Sequence, residues 1–239
     1  MDNLAEALKF VADLKDQNHA RSEVEIAGRT YRRGSLSPLE EPEAPLLELH
    51  TLTGLVDYLT ANVDGLKPET ILVHVVSPVS VALRSAVFGA FKQREVIATA
   101  EPILPRFEFD EFMSSEQFTI GLNAMFTEDG DRDALLADVA AIKVEAGAGV
   151  TDNGTSQTVS ITAGARLVSE RKTKPRVTLH PFCTFQEIKQ PARQFLFRLS
   201  EKGQPGLFVA DGEAWRNTAM LGIKEWLTKA LPEGMHIIA

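Results

Sequence analysis

The chain is expected to be an α+β protein: an antiparallel β-sheet core, a covering helical hairpin and an amphipathic C-terminal helix. Three observations predict this. Residues 114–142 carry apolar side chains at helical spacing on both sides of an acidic turn. Residues 70–100 and 155–210 alternate apolar with hydroxyl or charged residues, as half-buried strands do. Residues 211–230 hold a second helical apolar face that stops before Pro232.

From the N-terminus, Asp2 is placed to cap a first helix whose apolar stripe is Leu4, Leu8, Val11 and Leu14. So narrow a stripe suits a neighbouring subunit as well as the chain's own core. The run VEIAGRTYRR then predicts a hairpin turning at Ala27-Gly28, with Arg29, Arg32 and Arg33 as solvated edge charges. The segment SLSPLEEPEAP, with three prolines and three acids, predicts an exposed linker. Residues 1–45 thus form an arm of helix, hairpin and Pro-rich linker, and residues 46–239 an α+β main domain.

Within the main domain, residues 46–50 suggest a brief strand. Thr53 is placed to cap a helix bearing Leu55, Val56, Leu59 and Val63, ending near Gly65. ILVHVV, VSVALRS and EVIATA predict three adjacent antiparallel strands, with His74 an ordinary sheet residue. In the hairpin, Ser114 and Gln117 have capping-box spacing, each reaching the other's backbone N–H. Phe118, Leu122, Met125 and Phe126 form the first helical face, and Leu135, Leu136, Val139 and Ile142 the second, beginning at a cap on Asp131. Such a pair should pack on a shared sheet. Asp129, Asp131 and Asp133 imitate the start of a calcium loop. Ala134 stands where the loop needs Gly, however, and Ala140 where it needs the bidentate Glu, so a solvated helix start is expected instead.

The stretch EAGAGVTDNGTSQTVSITAGARL is Gly- and Thr-rich, with a turn at Asn153-Gly154. No Gly-Lys-Ser/Thr or GxGxxG follows, so a flexible β-loop is expected rather than a phosphate loop. Next comes the one concentration of positive charge on a chain of net charge −8: Arg166, Arg171, Lys172, Lys174 and Arg176. It is the candidate contact for nucleic acid or a nucleotide, weighed against a charged hairpin tip between strands. RVTLHPF and ARQFLFRLS alternate as strands, and residues 203–206 turn into LFVA. Asp211 is placed to cap the last helix, on which Trp215, Ala219, Ile223, Trp226, Leu227 and Ala230 share a face, and MHIIA suits an edge strand.

The acidic balance argues against a general nucleic-acid coat. A single cysteine, Cys183, excludes an intramolecular disulfide and a thiolate metal cluster. The acidic N-terminus is unlike a signal peptide, and no apolar run approaches the ~20 residues of a spanning helix. A cytoplasmic protein without membrane association is therefore expected. His180 and Cys183 fall on opposite faces if the segment is a strand. Neither a GxSxG elbow nor an HExxH helix occurs. No catalytic residue, metal or cofactor is predicted.

The segments TLTGLVDYL, ILVHVVSPVSVALRS, RFEFDEFMSSEQFTIGLNAMF and KPRVTLHPF…ARQFLFRLS, in this order over residues 51–230, resemble the YfdQ-like family of phage and prophage proteins. The resemblance implies a phage origin and action in a bacterial host cytoplasm, and brings no catalytic residue with it. With that origin, the amphipathic N-terminal helix, the aromatic C-terminal helix and the lack of a catalytic set lead to the expectation of a non-enzymatic phage accessory protein acting as a homo-oligomer. The expected contacts are Leu4, Leu8, Val11, Trp215 and Trp226, and nucleic-acid or nucleotide binding through residues 166–176 is the alternative.

Overall fold

The strand-forming runs of residues 70–100 and 155–210 do not join one sheet. In a computed structural model of the chain they belong to three separate sheets. The structure describes residues 2–20, 23–26, 29–32, 37–38, 44–89, 92–143, 148–152, 157–163, 166–172 and 175–239. They form two units, Met1–Leu46 with Val87–Arg94, and Leu47–Ala86 with Glu95–Ala239.

The smaller unit opens with helix α1, Asp2–Ala20, whose described side chains, residues 6–15, are all exposed. Strands β1 (Glu23–Ile26) and β2 (Arg29–Arg32) pair antiparallel with Ile26 opposite Arg29, as a two-residue hairpin loop requires. The linker contributes more than expected. Ser37–Pro38 forms a short third strand, β3, on the open side of β2, with Pro38 opposite the buried Tyr31. Proline is tolerated there because an edge position does not need its missing N–H.

In the larger unit, β5 (Ile71–Ser77), β6 (Ser80–Ser85) and β7 (Val96–Ala100) are the three antiparallel strands the sequence predicts. Two short parallel strands flank them: β4 (Leu47–Leu49) beside β7, and β14 (His236–Ile238) beside β5. The first sheet is therefore mixed rather than purely antiparallel. Helices α2 (Leu52–Ala61) and α5 (Trp215–Ala230) cover it. Leu52, Leu55, Leu59, Ile223 and Leu227 bury against Ile71, Val73 and Val75, the alternate residues of β5. The cap of α2 is Thr51, whose hydroxyl oxygen accepts the Gly54 N–H at 2.9 Å; Thr53, two residues on, is not the cap. Asn62, in the left-handed region at φ 46°, ends the helix before Gly65.

The helical hairpin has a sheet of its own. Strands β11 (Arg176–Leu179), β12 (Arg193–Leu199) and β13 (Pro205–Val209) lie in that order. Helices α3 (Ser115–Met125) and α4 (Arg132–Lys143) pack on them, burying Phe118, Leu122, Phe126, Leu135 and Val139 among Val177, Leu179, Phe195 and Phe197. At roughly 1.5–3 kcal/mol for each large apolar side chain removed from water, this second core holds the hairpin firmly. Ser114 caps α3 by accepting the Gln117 N–H at 3.2 Å. The other half of the expected capping box differs: the Ser114 hydroxyl donates to Gln117 Oε1 at 3.0 Å.

Both edges of this sheet are closed in the same way. Asp110 donates its N–H to Leu207 O, while its carboxylate accepts the Val209 N–H at 2.8 Å, along the β13 edge. Asp131 donates its N–H to Thr178 O and accepts the Thr178 N–H at 2.9 Å, along the β11 edge. The third sheet, β8 (Ala148–Asp152), β9 (Gln157–Ala163) and β10 (Arg166–Lys172), is antiparallel in the order β10-β9-β8. Strands β9 and β10 fall in the run 155–210 that the sequence assigns to strands, and β8 adds a strand where the glycines suggested a flexible β-loop. The Asn153-Gly154 turn lies outside the described residues. No described helix is long and apolar enough to cross a membrane.

Gly130 joins α3 to α4 at φ +75°, where a Cβ would lie 2.4 Å from Thr178 O; at Gly65, with φ +64°, a Cβ would meet nothing within 4 Å. Gly65→Ala is therefore expected to cost about 1 kcal/mol of left-handed strain. Gly130→Ala should cost roughly 2 kcal/mol or more, by urea unfolding, since backbone must also move. Equal costs would show that the close approach to Thr178 is absent.

Candidate functional site

Three places gather polar or reactive side chains. The first is a charge pair enclosed by aromatic rings. Arg193, the first residue of β12, donates through Nε to Asp211 Oδ2 at 2.7 Å, and the two side chains are 8% and 7% exposed. The guanidinium lies 5.0 Å from the Trp215 ring, 5.2 Å from Phe195 and 5.6 Å from Phe109, within the range of cation–π attraction. Burial by itself would raise the Asp211 pKa. The hydrogen bonds from Arg193 and from the Glu213 N–H, with the Arg193 charge, outweigh it and hold the carboxyl below its ordinary value. Asp211 consequently does not cap α5, whose N-cap residue is Ala214 without a side-chain bond.

The second place is the loop from His180 to Gln190. Gln190, 5% exposed, accepts the N–H groups of Cys183 (3.0 Å) and Thr184 (3.3 Å) on Oε1 and donates from Nε2 to Phe185 O (3.0 Å). His180 Nδ1 donates to the Gln190 carbonyl at 3.0 Å. Strand β11 ends at Leu179, so strand alternation is not what orients His180 and Cys183; Gln190 is. Burial pushes the Cys183 thiol up to about 11, with the Arg193 charge opposing and Asp211 adding to the rise. A thiol so placed is a poor nucleophile at neutral pH. Cys183 also lines an apolar cavity of about 220 Å3 with Leu104, Phe107, Phe109, Met125 and Phe182.

The third is a cleft of about 420 Å3 lined by His50, Thr51, Pro102, Ile103, Gln186 and Glu187, outside the carboxyl ends of the parallel strands β4 and β7. Glu187 Oε1 accepts from the Thr53 N–H at 3.1 Å and from its hydroxyl at 3.4 Å. His50 Nδ1 lies 3.1 Å from the Glu101 carbonyl oxygen. Sequence reasoning missed this cleft. Thr53 and Glu187 are 134 residues apart, and no local spacing signals their meeting.

The residues singled out from the sequence are dispersed. Arg166 and Lys172 are the first and last residues of β10, ~20 Å apart along the strand. Arg171 precedes Lys172 on β10, and Lys174 lies outside the described residues. Arg176 opens β11 in a different sheet and donates to Gln194 Oε1 at 3.3 Å. On α1, Leu8 and Val11 are 63% and 61% exposed, while the Leu4 side chain lies outside the described residues. Trp215 lies against Arg193, and Trp226 packs half-buried on the first core. Of the three aspartates in the acidic turn, Asp131 is committed to Thr178 and Asp133 pairs with Arg132 at 3.1 Å.

Fold and sites together define an α+β protein whose larger unit carries two separately covered sheets. Comparison with protein-family models, with curated proteins and with solved structures finds no match.

Asp211→Asn leaves a buried guanidinium without its counter-charge and should cost about 3–5 kcal/mol of stability at pH 7, whereas replacing both partners with apolar residues should cost much less. Because the folded carboxyl titrates below its ordinary ~3.9, its stabilisation is complete above that value. The gap between wild type and Asp211→Asn should narrow as pH falls further, followed by chemical denaturation. With its thiol held up to about 11, half-buried Cys183 should react with Ellman's reagent more slowly in the native protein at pH 7.5 than in guanidinium; equal rates would contradict the raised pKa.

Proposed function

We propose that the protein is a non-enzymatic, self-associating accessory protein whose copies pair through α1. One observation carries this reading: Leu8, Phe10, Val11 and Leu14 of α1 are 63%, 65%, 61% and 44% exposed. A helix of 19 residues left alone in water is marginal, and helices in proteins draw most of their stability from packing an apolar face. By spacing, Leu4, Ala7, Leu8, Val11 and Leu14 form one stripe, and Glu6, Lys9 and Asp13 fall on the opposite side.

A second copy fits this stripe. In an antiparallel pair with its two-fold axis at Val11, Leu8 faces Leu14 of the other copy. The stripe's only cation, Lys15, falls level with Ala7, so no like charges meet although each chain carries net charge −8. Trp215 and Trp226 lie against their own chain, which leaves α1 as the favoured contact. The resemblance of residues 51–230 to YfdQ-like proteins would set this role in a phage or prophage, in the host cytoplasm. The competing reading, nucleic-acid binding through residues 166–176, has less support because its described cations fall in two different sheets, Arg166, Arg171 and Lys172 on the edge strand β10, where charge also guards against strand addition, and Arg176 on β11.

Analytical ultracentrifugation at micromolar concentration should show a dimer or larger species. Leu8→Glu with Val11→Asp should convert it to monomer while the main thermal transition stays in place. A monomeric wild type, or an assembly unchanged by the double substitution, would exclude α1 pairing.

A further inference from the structure

The cleft at His50 and Glu187 presents the acceptors of both side chains beside the amide of Gln186 and the hydroxyl of Thr51, and neither Lys nor Arg lines it. A backbone carbonyl can only accept, so His50 Nδ1 carries a proton, bound to Glu101 O at 3.1 Å, and in that imidazole tautomer Nε2 is the acceptor. Glu187 uses Oε1 on Thr53, and its Oε2 has no partner among the described residues. Pro102 and the 76% exposed Ile103 supply an apolar wall. The N-terminus of α2 faces the same region, but its positive end amounts to about half a charge against the full negative charge of Glu187. The cleft is net negative.

From this geometry we propose that the cleft binds a donor-rich organic cation, a guanidinium or primary ammonium carried on a short aliphatic stem. The charged head takes Glu187 Oε2 and His50 Nε2, and the stem lies on Ile103 and Pro102. A guanidinium suits two acceptors that line one cleft because its N–H groups form a planar fork. Anionic and purely apolar ligands fit less well, the first because nothing cationic lines the cleft and the second because its acceptors would be left unmet. This site is independent of pairing through α1.

Isothermal titration of the full chain with n-butylguanidinium should give one saturable site per chain with Kd on the order of a millimolar, in keeping with so small a ligand. Neither n-butanol nor butyrate should bind there. Glu187→Gln keeps an oxygen for Thr53 but removes the charge, and should weaken binding at least tenfold while lowering the unfolding midpoint only slightly, since α2 loses a charge facing its N-terminus. His50→Ala, which has no tie to α2, should weaken it as well and serves alone if the Gln variant is unstable. Absence of saturable binding, equal binding of butyrate, or unchanged affinity in both variants would overturn the proposal.

Discussion

A single charge pair taken out of water ties the larger unit together. Arg193 begins β12 in the sheet under the helical hairpin, and Asp211 stands just before α5, the helix that covers the other sheet. Moving ions from water into a protein interior costs several kcal/mol each, recovered only with good geometry and satisfied hydrogen bonds. Both conditions are met here. Nε and Nη2 reach the two oxygens at 2.7 and 3.5 Å, the Glu213 N–H adds a third bond, and three aromatic rings surround the guanidinium. Since either ion alone would be far costlier than the pair, the start of α5 has little freedom to leave β12.

The connection from β11 to β12 reinforces this link. Phe185 and Ile188 belong to the first core, whereas Pro181 bridges to Phe126 in the second. Gln190 holds the turn between them through both ends of its amide, and the Thr184 hydroxyl donates to Pro78 O at 2.5 Å, in the β5–β6 turn. A buried amide with all of its bonds made specifies one loop conformation, since any other would strand polar groups away from water. The same arrangement leaves Cys183 half-buried in a loop that joins two cores.

Asp110 and Asp131 show how the second sheet ends without inviting further strands. Each aspartate pairs its own backbone N–H and its carboxylate with one edge strand, one on β13 and the other on β11. Those edges are spent within the chain. On α1, by contrast, the described apolar side chains Leu8, Phe10, Val11 and Leu14 are exposed.

Much of the fold was legible in local pattern. The α3–α4 hairpin, the β5–β7 meander, the β1–β2 hairpin and the face of α5 follow from periods of 3.6 and 2 set by backbone geometry. Local pattern failed where an element is too short to show a period, as with β3, or where composition misled, as with the glycines around β8. It placed the α2 cap two residues late because Thr51 and Thr53 are chemically alike, and only the reach of Glu187 separates their roles. It gave Asp211 to α5 because an acid before a helix is usually a cap, whereas Arg193 claims it. The sequence by itself determined the class of fold, the main elements and their buried faces, all of which depend on neighbours within a few residues. Only the tertiary structure decided that the strands divide into separate sheets, that Arg193 meets Asp211, and that His50 and Glu187 share a cleft, because these pairings join distant residues and are set by packing rather than by spacing.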